Sequence, residues 1–168
     1  MATIMKKLLS ITIMMLMVTA VTFAQKNPRK QANGKIGNVS VEVDYGAPSV
    51  RDRTIWGELV PYDKVWRAGA NENTTISFDS DVTVGKNAVP AGKYGLFIIP
   101  AKEGPWTVIL SKKNDAWGSN GYDKSNDLIR IKAKHNKADK SAEQLKFTVF
   151  KKGVQFAWEN AKVWIPVK

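Results

Sequence analysis

Arg51, Arg53, Trp66, Arg67, Asn71 and Glu72 crowd into one irregular stretch of the chain, and Trp117 and Tyr122 stand in a second. Arginine offers a planar fork that meets a carboxylate, sulfate or phosphate with two hydrogen bonds, and it stacks on indole faces. Trp and Tyr flanked by Asn and Glu supply an apolar floor with in-plane polar partners, which is what holding a sugar or a peptide requires. Gly69-Ala70 lets backbone approach such a ligand closely. These eight residues form the candidate ligand-binding set. The competing reading of the same stretch is architectural. In it, Arg67 and Glu72 form an internal ion pair that pins the loop, while Trp56 and Trp66 anchor it in the core.

Other chemistries are poorly supplied. The chain has no Cys and a single His, His135, in a Lys-rich segment read as a polar turn. Zinc, copper or haem would therefore lack their usual ligands, and no metal site or cofactor is expected. Asp79/Asp81 and Asp123/Asn126/Asp127 lack the ordered oxygen spacing of a calcium loop and suit the capping of turns. No G-x-S-x-G elbow presents a serine, so a Ser–His–Asp arrangement has no obvious nucleophile. The one acid pairing worth weighing for glycoside hydrolysis is Glu72 with Asp123 or Asp127. No catalytic residue is assigned.

The elements that must position these residues are short strands. Val39, Val41, Val43 and Tyr45 alternate with polar residues, and so do Thr74, Ile76 and Phe78. Val82 and Val84, a turn at Gly85-Lys86-Asn87 and a second turn at Pro90-Ala91-Gly92 lead into Tyr94–Ile99. That last run is apolar on both faces, as a covered central strand is. Trp106–Ser111, Ile129–Ala133, a hairpin of Leu145–Val149 with Val154–Trp158 across Lys151-Lys152-Gly153, and an edge strand Val163–Val167 complete the set. The pattern predicts an all-β, antiparallel β-sandwich, jelly-roll-like, of about eight strands with its long loops at one end. Those loops are Arg51–Val65 and Lys112–Asn126, and long ordered connections in a compact domain tend to carry function.

Residues 1–24 read as a signal peptide. Lys6 and Lys7 precede the uncharged apolar run Leu8–Phe23, and Thr22 and Ala24 occupy the small-residue positions of a cleavage site. Residues 25–36, polar with Pro28, read as a flexible N-terminal segment, and 37–168 as a single domain. All five methionines fall in the leader, so the processed chain has neither Met nor Cys and must be held by packing alone. Losing Lys6 and Lys7 leaves 24 basic residues against 15 acidic, a charge of +9. Scattered lysines on an exported protein indicate a solvated cationic surface rather than a nucleic-acid site.

One resemblance accompanies these patterns. Tyr45-Gly46-Ala47-Pro48-Ser49, Arg53, Trp56-Gly57, Val60-Pro61-Tyr62, Trp66-Arg67-Ala68-Gly69-Ala70-Asn71-Glu72 and Pro90-Ala91-Gly92-Lys93-Tyr94 resemble a domain-of-unknown-function family of secreted bacterial proteins. That family pairs a W-R-x-G-A-N-E-x-T motif with a P-A-G-x-Y-x-L-F-x-I-P motif. The likeness runs from about Val39 to the C-terminus, with Gly95 before Leu96 a small departure bearing on local strand packing. It implies fold and export, and no chemistry.

The sequence thus predicts a periplasmic or extracellular, non-catalytic module. Its expected partner is a small anionic or carbohydrate-like ligand or a partner segment, with no nucleic acid and no stable membrane insertion after cleavage. A hydrolase using Glu72 as acid or base and a structural cell-envelope protein are the alternatives, and the oligomeric state is left open.

Overall fold

A computed structural model of the chain describes residues 27–168; the leader expected over 1–24 lies outside the described residues. The strands are β1 (Arg29–Ile36), β2 (Val39–Gly46), β3 (Thr75–Phe78), β4 (Val82–Val84), β5 (Asn87–Val89), β6 (Gly92–Ile99), β7 (Trp106–Ser111), β8 (Asp127–Phe150) and β9 (Gly153–Pro166). One 3-10 turn, Lys124–Asn126, precedes β8. The chain is all-β, as the alternation predicts. Seven strands form one antiparallel ladder in the order β1-β2-β3-β6-β7-β8-β9, and β4-β5 is a small separate hairpin.

The ladder curls until its two ends nearly meet, an arrangement between a two-layer sandwich and a barrel. The cause is the bend in the long β8–β9 hairpin. Its register slips between Lys137, Ala142 and Lys146, and Glu159 opposite takes a left-handed φ of 49°. Extra residues on one strand bend a ladder sharply. Beyond the bend, Leu145 and Phe147 return to the core opposite β1 and β2. Val50 N–H donates to Glu143 O and Leu145 N–H to Pro48 O, stitching that arm to the segment after β2. Lys30 Nζ reaches Gln144 Oε1 across the same seam.

Three sequence expectations change. Residues 29–36 are not a flexible leader but β1, paired with β2 from Arg29↔Gly46 to Ile36↔Val39. Its inward residues are Ala32, Gly34 and Ile36, and two small residues of three hide the alternation. The polar stretch around His135 is no turn, because β8 runs through it, and the imidazole stacks on Trp106 at 4.5 Å. Val154–Trp158 and Val163–Val167 are one strand. The last of these ends the ladder, as an edge strand does, but Thr83 and Lys168 exchange hydrogen bonds of 2.8 and 2.9 Å across its tip.

Four indoles fill the centre. Trp66 stacks on Trp158 (5.7 Å, 18°), and Trp56 meets Trp66, Trp106 and Trp158 edge-on at 5.8, 4.7 and 5.7 Å. Edge-to-face and offset stacks are the favoured aromatic geometries. On the other face of β6 and β7, Phe97 pairs in register with Ile109, and both are buried although they face away from that core. The 112–126 connection covers them, with Tyr122 edge-on to Phe97 at 5.1 Å. This explains why β6 is apolar on both faces.

Candidate functional site

The two long connections meet at one rim. Asn73 N–H donates to Ala116 O (3.0 Å) and Gly118 N–H to Asn71 O (3.1 Å), and Glu72 bridges Trp117. Arg67 N–H donates to Ser119 Oγ at 3.1 Å. The backbone here is unusual. Of the six non-glycine residues with left-handed φ among the described residues, Arg51, Asp52, Asp63, Ala68 and Asn71 all lie in the whole connection from β2 to β3. Such conformations cost about 1–3 kcal/mol each and concentrate at ligand clamps and other functional sites.

The predicted residues divide into three groups at this rim. Trp66 belongs to the core, 8 % exposed, and its backbone exchanges two 2.8 Å hydrogen bonds with Ile98. This strand-like pairing turns the next side chain, Arg67, outward. Arg67 and Trp117 then face one cleft of about 310 Å³, lined also by Leu59, Lys64, Ser119 and Asn120. Trp117 is 69 % exposed and Leu59 46 %, so two large apolar side chains flank the guanidinium in water.

Arg67 itself is half-buried. Its Nε is shut off from solvent and has no hydrogen-bond partner among the described residues, and burial holds its pKa below the ordinary arginine value. Among the described residues no carboxylate lies within ion-pair distance of it. The architectural alternative of an Arg67–Glu72 pair is therefore not what forms. Glu72 turns instead to Arg29, 3.9 Å away, with its side chain 58 % exposed.

The remaining candidates serve the loops. Arg53 folds back on its own turn, donating from Nε to Val50 O (3.0 Å) and from Nη2 to Ser49 O (2.6 Å). It lines a different cleft, of about 370 Å³, with Asp52, Tyr62, Glu159 and Asn160. Arg51 N–H donates to Glu143 Oε1 at 3.0 Å. Asn71 acts through its backbone carbonyl. Tyr122 donates to Asp127 at 2.9 Å and accepts from Arg130, whose Nε also meets Asp127 at 2.5 Å. Asp123 Oδ1 accepts from Ser125 N–H at 2.9 Å, capping the 3-10 turn. Asp123 and Asp127, the proposed partners of Glu72, are thus both engaged in holding the second connection. Asp79 and Asp81 cap Ser40 N–H and Ala91 N–H, the turn role expected of them. Among the described residues no group of three His, Cys, Asp or Glu side chains could hold a metal ion.

Gly69-Ala70 also serves the frame. A Cβ on Gly46 would lie 2.1 Å from Ala70 O, and Ala70 N–H donates to Gly46 O at 3.2 Å. The small residues let the loop close on β2, rather than on a ligand.

A protein-family model matches residues 27–167, all of the described residues but Lys168. The chain belongs to the DUF2911 family. That family is described as proteins of unknown function. Neither a curated protein nor a solved structure matches the chain. For this DUF2911 domain the site must accordingly be argued from its own geometry. Sequence reasoning missed Leu59, Lys64, Ser119 and Asn120. Only nearness in the chain to Trp66 or Trp117 marked Lys64, Ser119 and Asn120, nothing marked Leu59, and an exposed Leu or Lys carries no signal of its own.

Proposed function

We propose that this protein is a non-catalytic, exported binding module whose Arg67 cleft takes a small ligand carrying an anionic group and a flat or apolar body. The observation that carries this reading is the state of Arg67. Among the described residues its Nε is out of water without a partner, which costs hydration at that atom, while its terminal nitrogens are not shut off from solvent. A carboxylate, sulfate or phosphate in the cleft would meet the two terminal nitrogens end-on, a two-pronged contact such a fork is shaped for. Trp117 and Leu59 offer the apolar wall, Lys64 a second cation, and Ser119 and Asn120 polar partners for a sugar-like or amide body. A charge-assisted hydrogen bond contributes roughly 1.5–3 kcal/mol, so affinities in the micromolar to millimolar range suit a cleft with one principal clamp.

Thermal-shift titration with benzoate, glucuronate and inorganic phosphate tests the reading. At least one of these should raise the melting temperature of the wild type, and Arg67→Ala and Trp117→Ala should each abolish the rise while melting near the wild-type temperature. Unfolding of both variants would make the cluster architectural, and an unchanged ligand response in both would end the proposal.

A further inference from the structure

Among the large exposed apolar side chains, Leu59 and Trp117 belong to the Arg67 cleft, whereas Phe150, 44 % exposed, lies elsewhere. It closes β8 at the β8–β9 turn, and its ring meets Trp164 at 5.8 Å and 50°. Trp164 is half-buried and lies directly over the turn, its ring 2.8 Å from where a Cβ on Gly153 would stand. The pair is therefore a braced platform. Lysines surround it. Lys151 and Lys152 are the exposed turn, Lys134 is the register partner of Trp164, and Lys162 shares the outward face of β9 with Trp164. Among the described residues none of the four has a carboxylate within ion-pair distance. The surrounding sequence, 128–168, carries ten Lys or Arg residues against three acids.

We propose that this turn docks the protein peripherally on an anionic lipid surface. A headgroup layer is negatively charged outside and apolar a few Å deeper. Phe150 with cations on its chain neighbours has that same profile. Lysine stems reach along apolar surface while their ammonium groups stay at the phosphates, and Trp settles at the boundary. Each Lys close to such a surface contributes independently to binding, so two lysines in the turn and two on the strands beside it give reversible attachment without any spanning element. A soluble polyanion would use the lysines and have no call on the phenyl ring, which is why a bilayer is the occupant assigned.

Co-sedimentation with vesicles tests this on the protein recovered from its producing cell, its N-terminus fixed by intact-mass measurement. Binding is expected to vesicles of mixed phosphatidylcholine and phosphatidylglycerol, and not to phosphatidylcholine alone. The double variant Lys151→Gln/Lys152→Gln should weaken it roughly tenfold or more, and high salt should remove it. Phe150→Ser should weaken it several-fold, with an unchanged melting temperature in both variants because all three side chains are exposed. No binding to the anionic vesicles, or binding that neither variant changes, overturns the proposal. Binding that depends on the lysines but ignores Phe150, and is matched by a soluble anionic polysaccharide, overturns it in favour of a polyanion.

Discussion

The backbone N–H of Arg67 donates to the hydroxyl of Ser119 at 3.1 Å, tying the two irregular connections together at the residue whose guanidinium Nε is buried without a partner among the described residues. Ser119→Ala leaves that N–H without its acceptor. The expected cost is about 1–2 kcal/mol, a fall of a few degrees in melting temperature by calorimetry. Ligand response should weaken along with it, because the wall bearing Trp117 loosens. A variant as stable as wild type would mean that the rim is held by the Asn71–Gly118 and Asn73–Ala116 contacts alone.

Trp66 and Trp117 separate architecture from recognition. Trp66→Ala removes a buried indole from the stack on Trp158, and large aromatic deletions of this kind cost about 3–5 kcal/mol. Trp117→Ala removes a side chain that is 69 % exposed, so its stability should stay within about 0.5 kcal/mol of wild type. Denaturant unfolding followed by circular dichroism measures both. Equal losses would contradict the division.

Gly95, in the middle of β6, faces a wall. A Cβ there would stand 2.4 Å from Lys113 O and 2.9 Å from Asn73 Nδ2. Both belong to segments that build the rim, and a backbone carbonyl cannot swing away. Gly95→Ala should therefore destabilise the domain by a few kcal/mol and detach the 112–126 connection. Faster hydrogen exchange at the amides of Asn73 and Gly118, whose partners lie across the joint, checks the second effect.

His135 is the only imidazole, so its titration is easily isolated. Burial against Trp106 holds its pKa below 6.5. The unfolded chain therefore takes up the proton more readily than the folded one. This contribution to stability is complete above pH 6.5 and is lost as the pH falls through the lower folded value. An NMR titration should place the imidazole midpoint under 6.5, and His135→Gln should flatten the stability profile between about pH 5 and 6.5. At the other end, burial raises the phenols of Tyr45, Tyr94 and Tyr122 above 10.0. Their contribution is present below pH 10 and declines as the pH climbs through the raised values.

Period-2 alternation made most strands legible, and turn chemistry placed the gap between the two long connections. What escaped was structure that alternation does not encode. β1 pairs through its backbone with small inward residues. The middle of β8 continues through Lys and Asn because its outward face is wet and its inward positions include His135. Arg53 and Tyr122 carried the same residue-type signal as Arg67 and Trp117, yet their partners, Val50 O and Asp127, are local and satisfy them. Only the fold separates an arginine with carbonyls in reach from one without. The WRAGANE stretch was rightly singled out, but its glycine and alanines close the loop against Gly46, and Arg67 is the side chain left over.

The central claim is that Arg67 awaits an anion between Trp117 and Leu59. A crystal soaked in 4-bromobenzoate tests it most directly, since bromine can be located by its anomalous signal. A bromine peak is expected in the cleft beside Trp117, with the carboxylate in two-pronged contact with the Arg67 guanidinium. Bromine bound at other clefts while this one stays vacant, or a guanidinium turned away to a protein partner, would contradict it.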